Sequence, residues 1–199
     1  KTLIIGLGQI GLKYDLRNKK ILTHSKAVFK HKFFDLIGGI EKKKNLRKIF
    51  KKRYKKNCFD IDNDKFLNYS VDLAVISVNT INHLKILKKV IRLKNLRFII
   101  IEKPVGRNFV ETREIISECN KKSIKIIPNY IRLFDKETQN IKKIINRKLN
   151  KNFNVNVLYN HDLRNNCSHM ISLALFWLGD FKSIKKIKKI NKNCYNFTL

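Results

Sequence analysis

An apolar run, Leu3-Ile4-Ile5, leads directly into Gly6-Leu7-Gly8-Gln9-Ile10-Gly11. A strand entering G-x-G-x-x-G has few ways to fold. It must turn sharply and send the chain back along itself, which is the opening move of a parallel α/β sheet. Each glycine has its own task. Gly6 permits the tight turn, Gly8 lets the backbone approach a pyrophosphate, and Gly11 lets the next segment pack closely on the strand. Backbone N–H groups at such a turn face negative charge, so Gly6, Gly8, Gln9, Ile10 and Gly11 together predict a dinucleotide site.

The rest of the chain alternates strands and helices. The polar stretch Lys13 to Leu22 interrupts the usual first helix, and a short helix covers Ser25 to Lys32. Phe33 to Ile40 reads as a strand, and Asn45 to Lys56 as a basic helix with Leu46, Ile49, Phe50 and Tyr54 inward. Val71 to Val78 is a third strand. Asn79 or Thr80 caps a helix carrying Leu84, Leu87 and Ile91 at helical spacing. Phe98 to Ile101 is apolar throughout, as expected for a strand buried on both faces. Asn108 with Glu111 predicts a capped helix through Cys119, and Ile124 to Ile127 a further strand.

Repeated β-α units of this kind predict an α/β, Rossmann-type doubly wound parallel sheet over residues 1–127, with its ligand crevice at the carboxyl ends of the strands. Residues 128–199 read as the start of a second α/β domain. Its elements are a helix from Asp135 to Leu149, a strand from Phe153 to Leu158 and an apolar helix from Ser168 to Leu178 stopped by Gly179. Strands from Lys182 to Ile190 and from Tyr195 to Leu199 end the chain. An open sheet begun and not finished leaves an unpaired edge.

Glu41 ends the second strand, where a carboxylate can accept hydrogen bonds from adenosine ribose hydroxyls. It lies thirty residues after Gly11 rather than the usual spacing of about twenty, and the extra Lys13 to Leu22 stretch accounts for the difference. Lys42, Lys43 and Lys44 follow and suit a 2′-phosphate, so both NAD and NADP stay open.

The formal charge of +30, from 45 Lys+Arg against 15 Asp+Glu, would draw nucleic acid or an anionic surface. The basic residues are nevertheless spread along the chain with abundant Ile and Asn, the residues of A/T-rich codons. They fall on expected solvent faces, as with Lys85, Lys88, Lys89 and Arg92. Compositional drift explains the charge, and no nucleic-acid-binding motif accompanies it. Cys58, Cys119, Cys167 and Cys194 are far apart, as core residues of a reducing compartment are, and form neither a disulfide frame nor a metal site. No apolar run has the length of a membrane span. A cytoplasmic location without membrane association is expected.

Ile100-Ile101-Glu102-Lys103-Pro104 places an acid and a lysine at a strand end and fixes the turn with proline. Together with the glycine loop, the segment Asp72 to His83, Pro128-Asn129-Tyr130-Ile131-Arg132 and Asn165-Asn166-Cys167-Ser168-His169, this resembles the Gfo/Idh/MocA oxidoreductase family across nearly the whole chain. The E-K-P tripeptide is the most specific element of the likeness.

The resemblance implies a Rossmann domain followed by an open-sheet α/β domain, and hydride transfer between NAD or NADP and a hydroxyl or carbonyl carbon. The substrate it implies is a sugar, cyclitol or nucleotide-activated sugar. Lys103 matches the lysine that hydrogen-bonds the reacting oxygen, and His169 the general acid/base. Ser77, Asn79, Thr80, His83, Glu102, Lys103 and Pro104 fall on the cofactor side, and Asn129, Arg132, Asn166 and His169 on the substrate side. Thr23-His24, after the polar stretch, border the site. The resemblance also implies a fragment lacking its initiator methionine and last third, from a protein that forms homo-oligomers when full length.

Two departures stand out. Asn165 occupies a position that is commonly Asp, and Ser172 replaces the carboxylate expected one helical turn after His169. A cofactor-binding member with weak or no catalysis is therefore the alternative, and a basic nucleic-acid-binding module a more distant one.

Overall fold

In the computed structural model, which describes residues 1–147, 166–181, 183, 185–191 and 194–198, the opening run forms a fully buried strand, β1 (Thr2–Ile5). Alternate side chains of a strand point to opposite faces, and here both faces are apolar. Leu3 and Ile5 enter one core cluster, whereas Ile4 enters another. That two-sided burial requires helices on each side, and the sequence supplies them.

Five further strands complete the sheet: β2 (Leu36–Ile40), β3 (Asn57–Phe59), β4 (Leu73–Ile76), β5 (Phe98–Ile101) and β6 (Lys125–Pro128). All pairings are parallel, in the order β3-β2-β1-β4-β5-β6. The chain runs outward from β1 in one direction and then returns to run outward in the other. The strand order therefore reverses between β1 and β4, which opens a crevice at their carboxyl ends.

Four helices cover this sheet: α1 (His24–Lys30), α2 (Lys44–Tyr54), α3 (His83–Val90) and α4 (Phe109–Lys121). Leu87 and Val90 of α3 and Ile115 and Cys119 of α4 pack with Ile5, Ile76, Ile99 and Ile101 on one face. Val28 of α1 and Phe50 and Tyr54 of α2 pack with Ile4, Leu36 and Val75 on the other. Each large side chain buried in this way contributes about 1.5–3 kcal/mol relative to exposure.

Helix α4 begins as its sequence dictates. Asn108 Oδ1 accepts a hydrogen bond from Glu111 N at 2.9 Å. The reciprocal arm differs, because the Glu111 carboxylate accepts from Arg107 N and Nε rather than from the N–H of Asn108.

Several expected elements are shifted. Phe33 and Phe34 precede β2 instead of belonging to it, and Phe33 is 79% exposed. They sit in the turn that closes α1, where Phe34 N donates to His31 O and both rings lie against the His31 imidazole. Strand β5 is fully buried on one face only. Phe98 and Ile100 are half-buried, because the helices on their side, α1 and α2, lie over β1, β2 and β3. The segment around Phe66 is a 3₁₀ turn (Asp64–Asn68), and the short strand β3 before it had no clear alternation in sequence.

The chain divides into two compact units, Lys1–Asn129 and Tyr130–Leu199. The second contains a 3₁₀ turn (Ile131–Phe134), α5 (Lys136–Arg147), α6 (Ser168–Leu178) and an antiparallel hairpin of β7 (Lys185–Asn191) and β8 (Cys194–Thr198). Helix α6 stops at Gly179, whose φ of 88° is open to glycine. Trp177 Nε1 donates to Thr138 O at 3.0 Å, and Lys142 Nζ donates to Trp177 O at 3.2 Å, bracing α5 against α6. The expected strand from Phe153 to Leu158 lies outside the described residues. Among those residues, no helix is long and apolar enough to cross a membrane.

Candidate active site

The glycine turn is built by close backbone approach. Gly6 has φ +91°, and a Cβ there would lie 2.7 Å from the Ser77 carbonyl carbon. A Cβ on Gly11 would stand 2.0 Å from Gly6 O. Gly8 differs, since a Cβ there would meet nothing within 4 Å and would project into open space. Two glycines thus close the turn on itself, and the middle one leaves room above it.

That room is a cleft of about 520 Å³ at the carboxyl ends of β1, β2 and β4. Gly6, Gly8, Gln9, Glu41, Ser77 and Asn79 line it, joined by Lys42, Lys43, Lys85 and Lys89. An open backbone cradle with this many lysines around it, outnumbering Glu41 and Asp62, suits the charge of a dinucleotide's pyrophosphate. Lys85 is exposed, as its solvent-face position predicts. Lys89 instead donates from Nζ to Ile61 O at 3.2 Å across the cleft wall.

Glu41 is oriented before any ligand arrives. Its Oε2 accepts from Leu7 N at 2.7 Å, inside the glycine turn, and its Oε1 accepts from Lys43 N at 2.9 Å. Arg47 holds the same corner, donating from Nη1 to Glu41 O at 2.8 Å and pairing with Asp60 at 2.7 Å. Ser77 Oγ donates to Gly6 O at 2.8 Å, so this cleft residue also fastens β4 to the glycine turn.

Other expected cofactor residues are placed differently. Ile10, Gly11 and Thr80 are not among the cleft walls, and Gly11 is buried beneath the turn. His83 corrects its expected place on the cofactor side. It is fully buried, with Nδ1 2.9 Å from Val105 O and Nε2 3.0 Å from Val78 O. Both ring nitrogens face backbone carbonyls, which leaves none for a ligand.

The stretch after the glycine turn is a built loop. Gln9–Lys13 forms one π-helical turn, and the chain then folds around Asp15. Asp15 is fully buried, and its carboxylate accepts from Leu22 N at 2.8 Å, from Thr23 N at 2.9 Å and from the Thr23 hydroxyl. Buried Lys26 donates to Asn18 O and Lys20 O, closing the loop from the other side. Asp15 carries one signal in sequence, that it stands as an acid among cations.

At the end of β5 lies a second polar cluster. Glu102 Oε1 is 2.7 Å from His24 Nε2 and accepts from Asn129 Nδ2 at 2.7 Å. Side chains of His24 and Glu102 are only 16% and 17% exposed. Burial pushes the Glu102 carboxyl up, but the hydrogen bonds from His24 and Asn129 outweigh it. The charges of His24 and Lys103 add to these bonds, so the group is held below its ordinary range. An ionised carboxylate can only accept, so His24 Nε2 is the donor. Asn129, expected on the substrate side, turns its amide to this carboxylate. Lys103 is half-buried and follows Glu102 directly, and its peptide to Pro104 is cis.

Arg132, Asn166 and His169 belong to the second unit. Arg132 is exposed, whereas His169 is buried near the start of α6 with the Tyr130 ring edge-on at 5.6 Å. Ser172 Oγ donates to His169 O at 2.8 Å, so its hydroxyl serves the helix backbone and not the imidazole. Asn165 lies outside the described residues. Buried Cys58 and Cys119 have thiols pushed up by burial to about 12 and about 11, as inert core residues should.

Comparison with solved structures identifies this architecture. A Sinorhizobium meliloti protein assigned as a myo-inositol dehydrogenase superposes with a TM-score of 0.72 at 18% identity, covering 96% of this chain and 60% of that one. The 3-ketoreductase KijD10 of Actinomadura kijaniata, in an open conformation with TDP-benzene and NADP, gives 0.70 at 11% identity over 92% of this chain and 57% of its own. The scyllo-inositol dehydrogenase of Lactobacillus casei gives 0.68 at 13% identity over 89% and 55%.

The chain has the fold of these oxidoreductases. It is the fold that the resemblance to the Gfo/Idh/MocA family implied, and the chain spans 55–60% of the length of these structures. No protein-family model and no curated protein matches the sequence.

Proposed function

We propose that this chain is the cofactor-binding end of a Gfo/Idh/MocA-type oxidoreductase acting on a sugar, cyclitol or nucleotide-sugar. The observation that carries the reading is a pairing within the first unit. A cleft ringed by Lys42, Lys43, Lys85 and Lys89 lies over the open side of Gly8, and the same sheet edge presents Lys103 behind Glu102. The fold shared with two inositol dehydrogenases and an NADP-bound ketoreductase supports it.

A bound nicotinamide dinucleotide would supply or take up the hydride. The chain's own residues do the rest. The glycine turn and Glu41 hold the adenosine diphosphate half. The Lys103 ammonium donates to the reacting oxygen and stabilises charge that develops there. In the second unit, general acid/base is the role that the family resemblance gives His169. Glu41 suits a ribose 2′-hydroxyl and Lys42 with Lys43 suits a 2′-phosphate, so the cofactor is NAD or NADP.

One observation favours the second reading, a cofactor-binding protein with weak catalysis. Ser172 gives its hydroxyl to the helix backbone, so it does not replace the carboxylate that would orient His169. Lys103→Ala separates the two readings. A catalytic protein should lose turnover by about 10²–10³-fold, the effect of one electrostatic donor, while keeping its affinity for NADH or NADPH. Initial rates followed by nicotinamide absorbance over a panel of inositols and TDP-sugars give the answer. Undiminished turnover would remove Lys103 from the chemistry, and no turnover by the wild type would leave the binding role alone.

A further inference from the structure

We infer that His24 is a positioning residue for Lys103, acting through Glu102; this rests on the oxidoreductase reading of the same site.

The sheet holds the Glu102 backbone through Glu102 N donating to Ile76 O at 3.0 Å, and the neighbouring strand end through Asn129 N donating to Ile101 O at 2.8 Å. Beyond Glu102 the chain leaves the sheet and turns at Pro104, so the direction Lys103 takes depends on how Glu102 is set. The Glu102 side chain is gripped at one oxygen, Oε1, by donors from two different elements: His24 at the start of α1 and Asn129 after β6.

His24 is itself bracketed by two anchored neighbours. Before it, Thr23 gives both its N–H and its hydroxyl to the fully buried Asp15 carboxylate. After it, Ser25 Oγ donates to Gly11 O at 2.6 Å, at the last glycine of the turn. One end of α1 is thereby fastened to the glycine turn and, one residue away, to the carboxylate beside Lys103. The His24–Glu102 bond sets the spacing between the loop that would hold the cofactor and the lysine that would act on the substrate. A fully buried carboxylate is costly unless its hydrogen bonds are met, and here all of them go to the segment that presents His24.

The donor at Nε2 is what positions Glu102. A protonated imidazole keeps that bond, and a glutamine side chain, which reaches about as far, can supply an N–H in its place.

The test uses the intact full-length protein, with NADH and NADPH as binding probes and initial rates over the panel of inositols and TDP-sugars. His24→Ala should lower kcat by about 10–100-fold, the scale of a misplacement of roughly 1 Å. KM and cofactor affinity should stay within about twofold, and His24→Gln should recover most of the rate, because a positioning contact is repaired by any well-placed donor. Asn129→Ala should lower kcat in the same sense, which keeps the comparison available where His24→Ala does not fold. Wild-type kcat in folded His24→Ala overturns the inference and leaves the oxidoreductase reading intact. A rate lost in step with cofactor affinity and not repaired by His24→Gln also overturns it, since a merely structural role predicts that pattern. A wild-type protein that binds neither cofactor overturns both readings together.

Discussion

Glu41 and Glu102 end two strands of the same sheet, yet they are held in opposite ways. The Glu41 carboxylate takes its donors from the main chain, at Leu7 N and Lys43 N. Glu102 takes its donors from side chains, at His24 and Asn129. Asp15 belongs with Glu41, since two of its donors are the backbone N–H groups of Leu22 and Thr23. Donors from the main chain come with the fold and cannot be removed one at a time. Donors from side chains can be exchanged singly, so the geometry at Glu102 is open to adjustment by substitution in a way that the geometry at Glu41 is not. The Glu41 corner is set by the main chain, and the Glu102 corner by exchangeable side chains.

The largest effect should come from breaking the main-chain-held class. Asp15→Ala strands two backbone N–H groups and one hydroxyl in a buried place. It should cost about 3 kcal/mol, the upper part of the range for an unmet buried group, measured by urea unfolding. A variant as stable as the wild type would mean that water or a shifted loop meets those donors.

Glu41→Ala comes next. It removes the acceptor that holds Leu7 N inside the glycine turn, and cofactor affinity should fall about tenfold, which is about 1.4 kcal/mol. Fluorescence titration with NADH and NADPH measures it, and a loss for NADH alone would sharpen the contrast by showing that ribose recognition outweighs loop bracing.

The smallest effect concerns Glu102 and acid. Its folded-state value lies below the unfolded one, held there against burial by the hydrogen bonds from His24 and Asn129. Its stabilising contribution is therefore complete above the unfolded value and is lost as pH falls through the folded value. Glu102→Gln should lower stability near neutrality and bring the two proteins together as the pH drops into the acid range, read from urea midpoints across a pH series. Parallel curves at all pH values would mean that the carboxylate gains nothing from His24 and Asn129.

Much of the fold was legible because its signals are local. The apolar runs of β1, β4 and β5, the helical spacing of Leu84 and Leu87, the Asn108 cap and the Gly179 stop each lie within a few residues of the element they specify. Glycine spacing and E-K-P were readable for the same reason. What stayed hidden depends on sheet order. His24 and Glu102 are 78 residues apart, and no periodicity announces that α1 starts beside the end of β5. Asp15 is masked by its cationic neighbours, and its burial depends on a loop closed by groups distant in sequence, Arg53 among them. The half-exposure of Phe98 and Ile100 likewise follows from which strands α1 and α2 cover, not from the strand's own composition. Phe33 and Phe34 look like strand residues, but the turn after α1 claims them first.

The histidine that left the ligand surface has a consequence of its own. His83 reaches Val78 O with one nitrogen and Val105 O with the other. Val78 belongs to the wall of the cofactor cleft, and Val105 follows the Lys103-Pro104 turn. The two segments come from different strand ends, and a single imidazole lies between them. A substitution at His83 would therefore be felt at the cleft wall and at the Lys103-Pro104 turn together, through one ring.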